Sequence, residues 1–362
     1  MIDTALHASD GARPTRLPIG GPAAWTGAGM AHSDAWQRTL SADAVAEIEA
    51  ALAGVKAKGL AWQEIGKADF ALPTFGAELA EVGRLLEDGP GLVRLRGLPV
   101  ERWDEAERKC VFFGLSTHLG TARSQTVRGE LMSAITDEAD RARRGAVQAK
   151  DGSTFLSSRG RVHSTGQLRY HTDRVDVVGL LCVNKAWRGG LSKVASAVAI
   201  HDAMLTRRPD LLELLFQDYH RSRLGEEDLS NKAYYALPVF AMCGPHFTTH
   251  YSRTYVEAAE LNPELPKLTP QQWEALDLLA ELAEELCLSM TLEPGDMQFL
   301  NNHVIFHART AYEDDPAGER PRLLYRLWLS VPNSRPLPES HVVLFGDVRP
   351  GALRGGIRPM AG

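Results

Sequence analysis

The chain has 362 residues, with 46 Asp and Glu against 40 Lys and Arg and a formal net charge of −6. Such a length can bury a large core, and the acidic balance leaves no basic footprint for nucleic acid. Cys110, Cys182, Cys243 and Cys287 have no CxxC spacing and fall in apolar stretches, which argues against zinc and for reduced thiols in the cytoplasm. Met1 to Gly29 lacks a basic start followed by an apolar stretch, and no run is long enough to cross a bilayer, so secretion and membrane insertion are disfavoured. There is no internal repeat. Nothing fixes the oligomeric state, and a homo-oligomer stays open.

In chain order, residues 1–40 are rich in Gly, Pro and Ala and read as an N-terminal arm, extended or partly ordered, with a single domain over 41–362. Ser41 can cap a helix that carries Val45, Ile48, Leu52 and Val55 on one face and closes at Gly59. A second helix carries Leu79, Val82, Leu85 and Leu86, and Asp88-Gly89-Pro90-Gly91 then turns into a strand over Leu92 to Arg96. Asp104 can start another helix. The stretch from Thr136 to Gly166 is charged and then Ser-Gly-rich, and reads as either a lid or a plain solvated loop. Val177 to Val183 and Leu191 to Ala197 flank a turn at Gly189-Gly190 and read as a hairpin. Thr269-Pro270 opens the clearest helix, through Trp273, Leu276, Leu279 and Leu286. Glu293-Pro294-Gly295-Asp296 turns into a strand over Met297 to Leu300, the start of a second hairpin-like unit.

His171-Thr172-Asp173 and the distant His307 carry the chemistry. On a strand successive side chains alternate faces, so His171 and Asp173 project from one side and Thr172 from the other. Two imidazoles and one carboxylate on one face of a metal form the facial triad of non-haem Fe(II) oxygenases, which leaves three positions open. His303, four residues before His307, would share its face on a strand and is the competing ligand. His246 and His250 are i,i+4, but Gly244-Pro245 and Thr248-Thr249 favour an extended segment over a helical metal pair. His118 and His201 read as structural. Gln125 is either an amide donor to a ligand or a surface loop residue.

Arg322, Leu324 and Arg326 share one face of a strand, opposite Leu323, Tyr325 and Leu327, so both guanidiniums can point inward and then need anions. A guanidinium fork matches a carboxylate in bidentate fashion.

With these residues the chain resembles the taurine dioxygenase and clavaminate synthase type of Fe(II)/2-oxoglutarate-dependent oxygenases. The resemblance rests on His171-x-Asp173, Gly189-Gly190-x-Ser192, Pro294-Gly295-Asp296, Asn302 five residues before His307, and the Arg322/Arg326 pair, over about 91–330. It implies an α+β fold, a distorted double-stranded β-helix or jelly-roll with surrounding helices and insertions. It also implies iron on His171, Asp173 and His307, 2-oxoglutarate on Arg322 and Ser192, and a substrate-side role for Arg326. Leu191-Ser192 stands where many relatives have Asp-Thr, and the His307-to-Arg322 spacing includes an added polar turn, so a register slip would exchange the two arginines.

The implied reaction consumes O2 and splits 2-oxoglutarate to succinate and CO2 while oxidising a C–H bond. The substrate expected is a small organic acid or amino-acid-like molecule. The carboxylate at 173 disfavours halogenation, whereas desaturation, epoxidation and cyclisation stay open beside hydroxylation. Two other readings are a non-catalytic jelly-roll binding protein and a triad oxidase that does not use 2-oxoglutarate.

Overall fold

In a computed structural model the described residues are 17–144, 146–148, 154–224, 233–318 and 320–359. Apolar residues that alternate along the central strands build two layers. The major sheet runs, in spatial order, Gln37–Thr39, Leu92–Arg96, Met297–Asn301, Val177–Asn184, Leu323–Ser330 and Thr121–Arg123, with Met132–Ile135 also paired to Leu323–Ser330. The minor sheet runs Leu288–Met290, Ser192–Ser196, Ile305–Arg309 and Leu168–His171, all antiparallel. The two sheets and the helices around them form the expected jelly-roll.

The two faces of the major sheet bury different cores. Val178, Cys182, Leu324 and Trp328 face the minor sheet and share a core with Val194, Ile305 and Phe306. Val177, Leu181, Tyr325, Leu327 and Leu329 face away, toward Ile48, Leu52, Leu79 and Phe112 of the covering helices. Period 2 within each strand produces this division. Gly179 sits where the core facing the covering helices packs tightly on the sheet, since a Cβ there would lie 2.8 Å from the Phe299 ring.

Helix ends follow the capping reading. Ser41 caps Ala42–Lys58, which closes at Gly59 with φ +65°. Asp104 and Thr269 form capping boxes ahead of Glu105–Ser116 and Pro270–Glu285.

Three expectations are corrected. The arm ends earlier than residue 40: from Leu17 the chain is part of the fold, Trp25 and Trp36 are buried, and Gln37–Thr39 pairs in parallel with Arg94–Arg96. Trp25 donates its indole N–H to Pro90 O at 2.8 Å, so two large apolar side chains override a tail-like composition. Residues 1–16 lie outside the described part.

The runs on either side of Gly189-Gly190 are not a hairpin. Val177–Asn184 lies in the major sheet and Ser192–Ser196 in the minor one, as do Met297–Asn301 and Ile305–Arg309 respectively. The third correction concerns only the plain-loop reading of 136–166: the stretch holds short helices, Ala139–Arg144 and Ser158–Val162, and a small ladder of Ala146–Gln148 with Thr154–Leu156. Residues 145 and 149–153 of that stretch lie outside the described part.

Candidate metal centre and active site

Leu168–His171 and Ile305–Arg309 are neighbours in the minor sheet, and His171 stands directly opposite His307 in register, with ring centroids 4.2 Å apart. The strand ends at His171. Asp173 is carried by the turn beyond it, and what brings the carboxylate back is Asn302: its Oδ1 accepts from Asp173 N at 2.9 Å and its Nδ2 donates to Val175 O at 3.1 Å. Thr172 points away, and its hydroxyl lies 3.2 Å from His250 Nδ1.

The result is a buried cluster in which one ligand atom each of His171, Asp173 and His307 lie within 4.8 Å of one another. His307 Nε2 is 3.8 Å from Asp173 Oδ2, which is buried and has no hydrogen-bond partner. His171 Nδ1 lies 2.9 Å from Arg169 O, which places its proton on Nδ1 and leaves the Nε2 lone pair toward the cluster.

Burial pushes the His307 imidazole down to about 3, with His171 adding to the shift, and burial likewise lowers His171. Burial opposes ionisation of Asp173, yet Arg326, His307 and His171 outweigh it and hold the carboxyl below its usual range. Two neutral imidazoles and one carboxylate are the donor set that an iron site needs.

His303 is excluded as a ligand by its partners. It lies in the turn between two strands, and its Nε2 is 2.9 Å from Asp176 Oδ1 while Nδ1 is 2.8 Å from Thr248 Oγ1. His250 is likewise occupied, by Tyr235 and Thr172, and His246 is exposed on the strand His246–Thr249. His118 bonds Phe70 O and His201 bonds Asp202.

Arg326 lies within the strand Leu323–Ser330, whereas Arg322 immediately precedes it. Arg326 lines a cavity of about 530 Å³ together with His171, Asp173 and Trp328. Its Nε donates to Gln125 Oε1 at 2.7 Å, and Nη1 lies 3.8 Å from Asp173 Oδ1. Gln125 is therefore neither a surface residue nor a free amide donor: it is buried, and both of its amide bonds go to the carbonyls of Leu131 and Arg326.

Arg322 lies elsewhere, buried against the Gly189-Gly190 turn, where a Cβ on Gly190 would come 3.4 Å from its Nε. Its guanidinium is 5.0 Å from the Tyr312 ring, and Arg322 Nη1 and the Tyr312 hydroxyl are both buried without partners. A buried cation with an unpaired donor calls for an anion. Ser192 Oγ meanwhile donates to Gln298 Oε1 at 2.9 Å.

Sequence reasoning missed Trp328, though it extends the inward-facing series Arg322, Leu324 and Arg326 by one more repeat. It also missed Arg128 and Arg174, which lie in loops, and Arg141 and Tyr255, which lie in the helices Ala139–Arg144 and Arg253–Glu260, all on the cavity wall. No periodic pattern marks these.

A buried triad of two histidines and an aspartate between jelly-roll sheets, beside a cavity and two inward arginines, defines a non-haem iron oxygenase. Residues 56–328 match the family described as taurine catabolism dioxygenase TauD, TfdA family. The chain belongs to that family of Fe(II)- and 2-oxoglutarate-dependent dioxygenases.

Among similar proteins, the FR-33289 synthase of Streptomyces rubellomurinus (strain ATCC 31215) is 32% identical over 332 residues, 90% of this chain and 94% of that one. The taurine hydroxylase-like protein SAT17 of Stachybotrys chartarum (strain CBS 109288 / IBT 7711) is 30% identical over 312 residues, 84% and 77% of the two chains. In fold the chain is similar to asparagine oxygenase in complex with Fe(II), 2S,3S-3-hydroxyasparagine and succinate, with TM-score 0.62, 18% identity and 82% and 93% coverage. The oxygenase OrfP with Fe and alpha-ketoglutaric acid gives TM-score 0.59, 13% identity and 81% and 93% coverage. No helix among the described residues is long and apolar enough to cross a membrane.

Proposed function

We propose that this dioxygenase holds iron through His171 Nε2, an oxygen of Asp173 and His307 Nε2, binds the distal carboxylate of 2-oxoglutarate on Arg322 and Ser192, and oxidises a small carboxylate-bearing substrate held by Arg326. The observation that carries it is the unpartnered, buried Asp173 Oδ2 facing His307 Nε2 within a three-residue cluster. Iron and 2-oxoglutarate together supply the oxidant for a C–H bond, with succinate and CO2 as co-products.

The chain's own residues do the rest. Arg169 O fixes the tautomer of His171, Asn302 holds the Asp173 loop, and the paired imidazoles stay neutral because they are buried. Arg322 Nη1 and the Tyr312 hydroxyl offer two unused donors to one carboxylate, and Ser192 joins them by turning its hydroxyl from Gln298. Arg326 is steadied by Gln125 and presents its remaining donors to the cavity, so a substrate carboxylate there is anchored beside the metal cluster.

The test is an anaerobic titration of Fe(II) and 2-oxoglutarate followed by visible absorption, then a screen of carboxylate metabolites for stimulated succinate release. Arg322→Ala should weaken 2-oxoglutarate by roughly 2–5 kcal/mol and Ser192→Ala by about 1 kcal/mol. Unchanged cosubstrate affinity in Arg322→Ala would overturn that assignment.

A further inference from the structure

The strand Met132–Ile135 lies beside Leu323–Ser330 and carries a hydroxyl that the core does not use. Its alternation sets Ile135 into the core shared with Leu324 and Trp328, whereas Met132 and Ala134 pack into the core under the covering helices. Ser133 therefore faces inward with Ile135. In register it stands directly opposite Arg326, just as Ile135 stands opposite Leu324. Side chains paired in this way start about 5 Å apart at Cβ and point to one face of the sheet. Both Ser133 and Arg326 line the cavity beside the metal cluster.

Ser133 is only 2% exposed, yet among the described residues its Oγ has no hydrogen-bond partner. Ile135, one strand repeat away, shows that this face accepts an aliphatic side chain, so packing alone does not call for a hydroxyl. A buried donor without an acceptor costs free energy unless a ligand supplies one. Beside it, Arg326 spends Nε on Gln125 Oε1 at 2.7 Å and its guanidinium lies 5.2 Å from the Trp328 ring. Its nearest carboxylate contact is the 3.8 Å approach of Nη1 to Asp173 Oδ1, so both Nη groups lack a hydrogen bond among the described residues. Gln125 Nε2 donates to Leu131 O at 2.9 Å and to Arg326 O at 2.8 Å, which ties the chain entering the Ser133 strand to the strand of Arg326. A ligand thus meets a hydroxyl and a guanidinium already held side by side.

We infer that Ser133 is a substrate-binding residue whose hydroxyl, together with the Arg326 guanidinium, clamps one carboxylate of the substrate and makes the cavity select the ionised acid over its neutral amide. The inference rests on the proposed reading of Arg326 as the substrate-side arginine. A hydroxyl donates more strongly to a carboxylate than to an amide oxygen, so its removal weakens the acid more than the amide.

The experiment uses the iron- and 2-oxoglutarate-loaded protein under argon, with the monocarboxylates acetate to hexanoate and the amino acids glycine to norleucine as probes. Each is paired with its primary amide, and binding is measured by calorimetry. At least one acid should bind about tenfold or more tighter than its amide, and Arg326→Gln should erase that preference. Ser133→Val should reduce it severalfold, while Ser133→Thr, of the same shape but with a hydroxyl, should keep most of it. Valine and threonine both suit a strand, so comparing them removes shape and folding from the result, and Ser133→Ala repeats the loss without added bulk. A preference intact in Ser133→Val, or lost equally in Ser133→Thr and Ser133→Val, overturns the role of Ser133 and leaves Arg326 in place. No acid preferred by the wild type, or a preference that survives Arg326→Gln, overturns the Arg326 reading and the clamp with it.

Discussion

Both ring nitrogens of His303 are occupied, by Asp176 and Thr248, whereas His307 Nε2 faces only the triad. Replacement of the two should therefore separate metal binding from stability. His307→Ala should abolish iron-dependent consumption of 2-oxoglutarate. His303→Ala should retain it while costing roughly 1–3 kcal/mol of stability, because Asp176 and Thr248 lose a buried partner. Urea unfolding and succinate assays on the two proteins check this, and the reverse pattern would reassign the ligand. Arg326 is tested by coupling. Arg326→Gln should release more succinate per product than wild type, since a mispositioned C–H bond leaves the oxidant to decay unproductively. Equal coupling, together with equal acceptance of an acid substrate and its neutral amide, would remove the anchoring role.

At the scale of elements, capped helices were legible because their signals are local: Ser41 and Gly59, Asp104, and Thr269-Pro270 each act within one turn. Strand partners were not. Val177–Asn184 is buried on both faces, so its apolar run lacks the alternation that tells which sheet it joins. A short connection with two positive-φ glycines then suits a crossing between sheets as well as a hairpin. The triad was legible because His-x-Asp spacing and a distant His are chemical rather than topological signals, yet Asp173 reaches its place through Asn302 and not through strand geometry.

Arg309 shows how a strand residue organises a neighbouring element. It is buried, and it donates to the carbonyls of Arg161, Ser164 and Gly166 at 3.2, 2.7 and 2.5 Å, closing the turn next to Val162 and His163 on the cavity wall. Burial pushes its guanidinium down to about 10. Lysine offers three donors without the planar fork. Arg309→Lys should speed amide exchange across residues 161–166 about tenfold or more, a loss near 1.4 kcal/mol of local protection. Unaltered exchange would mean that the turn is held by other contacts.

At the scale of the molecule, the buried histidines set the response to acid. His341 has its ring packed with Phe345, Nε2 buried without a partner, and Nδ1 3.3 Å from the Ser340 hydroxyl. Burial pushes it down to about 3, and neighbouring His303, Arg221 and Arg354 add to the shift. His307 stands at about 3, and His250 is held well below the ordinary value of 6.5. Between those folded values and 6.5 the unfolded chain binds more protons than the folded one, so stability is fully present above about 6.5 and falls as pH drops toward 3. Carboxyls with lowered values, such as Asp173 and Asp176, contribute their loss only below their ordinary 3.8. The acid limb of the metal-free protein should therefore begin near pH 6, with each such histidine adding about 1 kcal/mol per pH unit once well inside the window. Urea midpoints recorded from pH 8 down to pH 5 measure the slope, and His341→Gln should make it shallower by about one proton. Stability that stays flat to pH 5 and declines only where carboxylates titrate would show that the buried imidazoles gain protons without opening the fold.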